Sequence, residues 1–224
     1  MFERYAIFYT PTGPLADFGA HWMGWESAQG RSVPHPKFTD IDVASITKTP
    51  RKYGLHGTLK APFHPAEGFD LAQLQDTAKA FATRQPAFEI GAMALSYDSD
   101  FVALRPQNPQ VALRNFAGAT VKTFDPFRAP LTDADIARRR HANLTVRQDQ
   151  HMRDWGYPFV FDDFHFHLTL SGHLQQDTAA QVIDVLTQHL ENIVSNPFAI
   201  DAITLMGQDA QGMFHQIHRY TLTG

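Results

Sequence analysis

The sequence predicts an α+β fold of two pseudo-symmetric lobes, each of mainly antiparallel sheet with helices packed outside. Three observations predict it. Short runs rich in aromatic and β-branched residues, closed by proline or glycine, alternate with amphipathic stretches of helical period. Two of those amphipathic stretches, 70–84 and 176–194, each follow a strand pattern and precede two more strands. The same four-residue pattern recurs ahead of both helices. The 224 residues contain no low-complexity linker, so 1–224 reads as a single two-lobed domain whose motif-bearing strands face a central cleft.

Taken in order, residues 3–10 (ERYAIFYT) read as a strand that stops at Pro11. Leu15, Phe18, Trp22 and Trp25 recur at spacings of three and four and predict a helix over 14–29. Residues 30–54 carry prolines at 34, 36 and 50 and read as loop with one short element at 41–46. A second strand covers 55–61. The helix at 70–84 places Leu71, Leu74, Ala78 and Phe81 on one face. Strands near 87–97 and 100–105 flank a turn at Asp98-Ser99-Asp100, and 109–124 is a helix. Thr132 with Asp135 resembles a capping box for a helix running to about 152, with a break near Asn143. Residues 163–174 (DFHFHLTLSGHL) read as a strand and 176–194 as a helix with Val182, Ile183, Leu186, Leu190 and Ile193 buried. Strands near 198–206 and 213–222 end the chain. Trp22, Trp25 and Trp155 are expected to be core anchors.

Composition narrows the function. Lys plus Arg is 19 against 23 Asp plus Glu, a formal charge of −4, so a grip on long nucleic acid through its phosphates is not expected. The run Arg138-Arg139-Arg140-His141 reads as a solvated helix face. With no cysteine, thiolate nucleophiles, disulfides and cysteine-ligated metals are excluded. No stretch approaches the roughly 20 apolar residues of a membrane span, so the expectation is a cytoplasmic protein with no membrane partner.

The chemistry sits in the repeated pattern, His56-Gly57-Thr58-Leu59 and His167-Leu168-Thr169-Leu170, 111 residues apart. Two such copies arise by chance with a probability of roughly 0.3%. Side chains alternate faces along a strand, so His56 shares a face with Thr58, and His167 with Thr169. Two such strands bring two imidazoles and two hydroxyls to one cleft. That set suits phosphoester chemistry: histidine serves as base or acid near neutrality, and hydroxyls donate to the non-bridging oxygens where charge accumulates.

The period-two argument adds Lys60 to the face of His56, and His165 and Ser171 to the face of His167. Tyr157, next to Pro158, stands just before the second motif strand and is a candidate pocket residue. His165-x-His167 alternatively reads as two metal ligands, with Glu89, Asp162, Asp163, His173 and His215 available as others, though none falls in a recognised ligand spacing. The glycines at 54 and 57 do not make a phosphate loop, which needs a Gly-Lys-Ser/Thr ending.

With these motifs in view, the chain resembles the two-histidine (2H) phosphoesterase superfamily, which includes RNA ligase-like enzymes and 2′,3′-cyclic phosphodiesterases. It looks most like a bacterial branch encoded with phosphonate-degradation genes. That likeness lies in Arg4-Tyr5-Ala6-Ile7, in Tyr53 to Pro62 around the first motif, and in Trp155-Gly156-Tyr157-Pro158 with Phe164 to Leu170 around the second. The resemblance implies His56 and His167 as an acid–base pair, Thr58 and Thr169 as phosphate binders, no cofactor or metal, and a small ribose-containing cyclic phosphate as substrate. A non-catalytic module that binds a nucleotide or RNA end is the alternative in another class.

Overall fold

The structure is a computed structural model that describes residues 2–98, 100–140 and 143–224. Ser99 of the expected turn and His141 of the basic run lie outside these, as do the side chains of Arg138 and Arg139.

The elements follow the expected order. Strand β1 (Arg4–Tyr9) leads through Pro11 and Pro14 into helix α1 (Gly13–Met23), which Gly24 ends in a left-handed cap at φ 72°. That cap stops the helix six residues short of the expectation. The chain then forms the two-residue pair β2 (Trp25–Glu26) and β3 (Arg31–Ser32). A short helix α2 (Val43–Ile46) and a 3₁₀ turn at Pro50–Tyr53 precede the first motif strand, β4 (Gly57–Phe63). Asp70 caps helix α3 (Leu71–Ala82) by accepting from the amide of Ala72. Strands β5 (Phe88–Glu89), β6 (Met93–Asp98) and β7 (Phe101–Pro106) follow, then helix α4 (Val111–Phe124).

The helical middle divides where a break was expected. Helix α5 is Asp133–Arg140 and α6 is Val146–Trp155. Asn143 sits between them at φ 51°, and Thr145 with Gln148 forms a second capping box. The second motif strand, β8, is only Leu168–Thr169, far shorter than 163–174. A 3₁₀ turn at Phe161–Asp163 enters it. Beyond it, the amides of Leu170 and Ser171 both reach the carbonyl of Val102, which ends the regular ladder. Helix α7 (Gln176–Leu190) and strands β9 (Ala199–Ile200), β10 (Ala202–Gln208) and β11 (Phe214–Thr221) complete the chain.

Seven strands form one sheet in the order β11-β10-β1-β4-β8-β7-β6, with every pairing antiparallel. The two motif strands are therefore neighbours at its centre. Each half of the chain also lends its hairpin to the other. The β6–β7 hairpin, from the first half, pairs with β8 and is covered by α7. The β10–β11 hairpin, from the second half, pairs with β1 and is covered by α3. This exchange lets two amphipathic helices and two hairpins close one continuous core under the sheet.

That core takes Tyr5, Ile7 and Tyr9 of β1, Leu59 of β4 and Leu168 and Leu170 of the second motif, with the stripes Leu74/Ala78/Phe81 of α3 and Val182/Leu186/Leu190 of α7. Trp22 is fully buried there, and its indole N–H donates to the carbonyl of Leu170 at 2.7 Å. Trp25 is buried as well, and Trp155 stands half-buried with its ring edge-on to Phe161. The opposite face of the sheet carries a smaller cluster, Ala6, Phe8, Met206 and Phe214, with Tyr53 packed on it.

Candidate active site

Both motifs begin one residue ahead of their strands, and the central register brings them together. Gly57 pairs with Leu168 in antiparallel sense. Carrying that register one residue each way sets His56 opposite Thr169 and Thr58 opposite His167, all four on one face. The close approach depends on Gly57. A Cβ there would meet the ring of Phe166 at 2.3 Å. Thr58, His56 and Thr169 line a cavity of about 560 Å³ with Arg4, Phe8 and Tyr53, and Phe101 forms part of its wall. The ring of Phe101 lies 5.6 Å from that of His167.

The two imidazoles are held in the same way. Nδ1 of His56 lies 2.9 Å from the carbonyl of Gly54, and Nδ1 of His167 lies 2.8 Å from the carbonyl of His165. A carbonyl only accepts, so each Nδ1 carries the proton and each neutral ring presents an unprotonated Nε2. The hydroxyl of Thr58 lies 3.3 Å from Nε2 of His56 and can donate to it.

Burial disfavours charge on both rings. His56 is lowered to about 4, chiefly by desolvation, and the nearby His167 lowers it further. Its ring centroid lies 4.0 Å from that of Phe8 and 5.4 Å from that of Tyr53, tilted against both. His167 is lowered too, first by desolvation and then by the charges of Arg105 and His165, against the raising effect of its own carbonyl bond. An anion bound between the rings reverses the sign of that environment and favours protonating one of them.

The residues added by period-two reasoning fare differently. Lys60 is turned away from the motif face. In the ladder with β1, Phe8 pairs with Thr58 but Ile7 pairs with Lys60, so Leu59 is an extra residue in a β-bulge. The bulge reverses the alternation and sends Lys60 to the helix side with Ile7. There it is 3% exposed and donates to Asp125 at 3.0 Å and to the carbonyl of Val121. Ser171 lines the cavity, but its hydroxyl is engaged by the backbone, accepting from the amide of Val102 and donating to the carbonyl of Gly172, both at 2.9 Å. His165 is exposed and faces a separate hollow beside α4. Tyr157 does line the cavity, with its ring edge-on to Phe159.

A metal site built on His165 and His167 needs further ligands. Among the described residues no three His, Asp or Glu side chains gather at one point. Asp163 is held by Arg147 at 2.7 Å, and His215 by Asp209 at 2.6 Å. His173 and Asp100 pair with each other at 3.3 Å on the cavity rim.

Phe8, Tyr53, Phe101 and Arg105 were not among the sequence candidates. Phe8 and Phe101 each lie on a strand paired to a motif strand, so only strand pairing reveals them. Arg105 is reached the same way: Ala103 pairs with Thr169 and Leu104 with Leu168, so the next position sets Arg105 opposite His167.

Comparison with known proteins adds the following. The protein named ribose 1,5-bisphosphate phosphokinase PhnN from Janthinobacterium sp. (strain Marseille) is 35% identical over 218 residues, covering 93% of this chain and 48% of that one. The chain spans about half the length of the curated relatives it matches. A crystal structure described as that of a phosphoesterase aligns over 100% of both chains at 14% identity and a TM-score of 0.48. E. coli LigT complexed with 3′-AMP aligns over 100% of both at 16% identity and a TM-score of 0.45. A family model, described as protein of unknown function DUF1045, matches residues 58–215, from the first motif threonine through the whole second motif, and the chain belongs to that family.

Proposed function

We propose that the protein is a phosphoesterase that opens a small ribose-containing cyclic phosphate by histidine acid–base catalysis. One observation carries this reading. Two imidazoles, each with Nδ1 tied to a backbone carbonyl, stand with two threonine hydroxyls on the same face of adjacent strands.

His56, the ring lowered to about 4, is the base. Its Nε2 takes a proton from water as the water oxygen bonds to phosphorus. The bound phosphate anion first favours protonation of His167 at Nε2; the bond from phosphorus to one ribose oxygen then breaks, and that oxygen takes the Nε2 proton of the His167 imidazolium. The product is a phosphate monoester, and solvent returns both rings to their starting protonation. Thr58 and Thr169 donate to the non-bridging oxygens as charge builds on them. Phe8 and Phe101 exclude water from the two sides. None of these steps needs a group beyond the chain's own residues and water.

The relatives' name points to ribose phosphates as the chemical neighbourhood, and phosphonate metabolism is the setting this suggests. Kinase chemistry is not part of the reading. The chain contains no Gly-Lys pair, so it has no loop of the kind that cradles the phosphates of a nucleotide triphosphate.

The test is turnover of ribose 1,2-cyclic and nucleoside 2′,3′-cyclic phosphates in excess chelator. Loss of about 10²–10⁴ in rate is expected for both His56→Ala and His167→Ala, with circular dichroism unchanged. Wild-type rates in both variants would refute the mechanism. Tight binding without turnover would favour a binding module.

A further inference from the structure

A second hollow begins where the catalytic face passes His167. It has a volume of about 370 Å³, and its walls include Arg105, Gln107, Arg114, Asp162 and His165. In register, β7 and β8 set Arg105 opposite His167, so the inner wall of this hollow touches the catalytic row. Its two arginines are each only loosely ion-paired. Arg114 and Asp162 stand 3.7 Å apart, and Arg105 and Asp98 3.9 Å, beyond hydrogen-bond reach in both cases. Arg105 is held instead by its position over the ring of Phe101, 5.1 Å from the centroid, and its buried Nε has no hydrogen-bond partner among the described residues. A guanidinium N–H kept from water without an acceptor is costly, and an anionic oxygen is the ligand group that satisfies an arginine best. His165 adds an exposed imidazole to the lining.

We propose that this hollow is a second anion subsite, in which Arg105 and Arg114 receive a second phosphate of the substrate, beside the one that reacts. The proposal rests on the phosphoesterase reading, and it deepens it: the preferred substrate is a ribose cyclic phosphate that carries another phosphate. Arg105 has two consequences at once. Its charge makes an empty His167 harder to protonate, and the incoming anion relieves that effect. Substrate binding and readiness of the acid are thereby coupled through one side chain.

Calorimetric titration of the intact protein with ribose 1-phosphate and with ribose 1,5-bisphosphate tests it. The bisphosphate is expected to bind about tenfold or more tightly than the monophosphate. That ratio should fall close to one in Arg105→Gln and about threefold in Arg114→Gln, with ribose 1-phosphate affinity unchanged in Arg114→Gln. Should Arg105→Gln fail to fold, Arg114→Gln and His165→Ala, both at exposed positions, carry the test. Equal affinities in wild type, or a ratio untouched by these substitutions, would overturn the subsite. Turnover of simple cyclic phosphates separates the two ideas. Turnover without a two-phosphate preference removes only the subsite. A preference without turnover leaves the subsite standing and removes the phosphodiesterase reading.

Discussion

The two half-sites share a design and differ in their surroundings. Each places an imidazole one residue ahead of a central strand, ties its Nδ1 to the carbonyl two residues upstream, and sets a threonine two residues on. Around His56 the neighbours are aromatic, Phe8 and Tyr53, on the four-strand side of the sheet. Around His167 one neighbour is aromatic, Phe101, and the other is a guanidinium, Arg105. Local sequence repeats the chemistry and burial lowers both rings, whereas the strand that lies alongside sets what else each ring meets, an aromatic face for His56 and a positive charge for His167. The difference follows from the exchange of hairpins, because β1 flanks the first motif and β7, from the other end of the first half, flanks the second.

The largest effect expected from breaking this comparison lies in the threonines. Thr58→Val and Thr169→Val should each lower kcat by about 10²–10³, or about 3–4 kcal/mol, with KM little changed. Thr58 also reaches Nε2 of His56, so Thr58→Val should shift the acid limb of the kcat/KM profile while Thr169→Val leaves it in place. A shared shift would mean that the half-sites are electrostatically equivalent after all.

Next comes the ionisation of His56. Its folded-state value lies near 4 and its unfolded value near 6.5, so the unfolded chain binds the proton more readily. Stability that is fully present above pH 6.5 is then lost as pH falls through 4, by about 3 kcal/mol in all. Urea unfolding at pH 7 and pH 4 measures this. His56→Gln should remove that share of the pH dependence and leave the share due to carboxylates. A variant with the wild-type slope would show that the ring is not held neutral by burial.

The smallest effect is reserved for Lys60. Because the bulge at Leu59 sends it into an ion pair with Asp125, Lys60→Met should leave kcat/KM within about twofold of wild type. Its stability cost should be modest, since Asp125 keeps Arg128 at 2.9 Å and the methionine fills the buried space. A hundredfold loss of kcat/KM would return Lys60 to the catalytic face.

Much of the site was legible in the sequence because it is written in a short, local and repeated code. His-x-Thr-hydrophobic fixes which side chains share a face over three residues, and both copies hold that pattern in the structure. The code failed where it was extended. Lys60 lies two residues beyond Thr58, but one bulge intervenes, and a bulge is a response to the partner strand that leaves no mark in a period-two count. Ser171 lies two residues beyond Thr169, yet its hydroxyl is taken up by Val102 and Gly172 where the ladder ends. The long strand expected at 163–174 shrank to two paired residues for a related reason. Extended backbone becomes strand only where a neighbour offers matching amides and carbonyls, and β4 and β7 offer them only at 57, 103 and 104.

The sequence by itself determined the element order, the amphipathic stripes of α3 and α7, the two motifs and the absence of thiol chemistry, because each of these is set by contacts within a few residues. Only the tertiary structure decided that the motif strands are neighbours, that the halves exchange hairpins, and that Phe8 attends one histidine while Arg105 attends the other. Those relations join residues up to about two hundred positions apart, through hydrogen-bond registers and packing that no local pattern encodes.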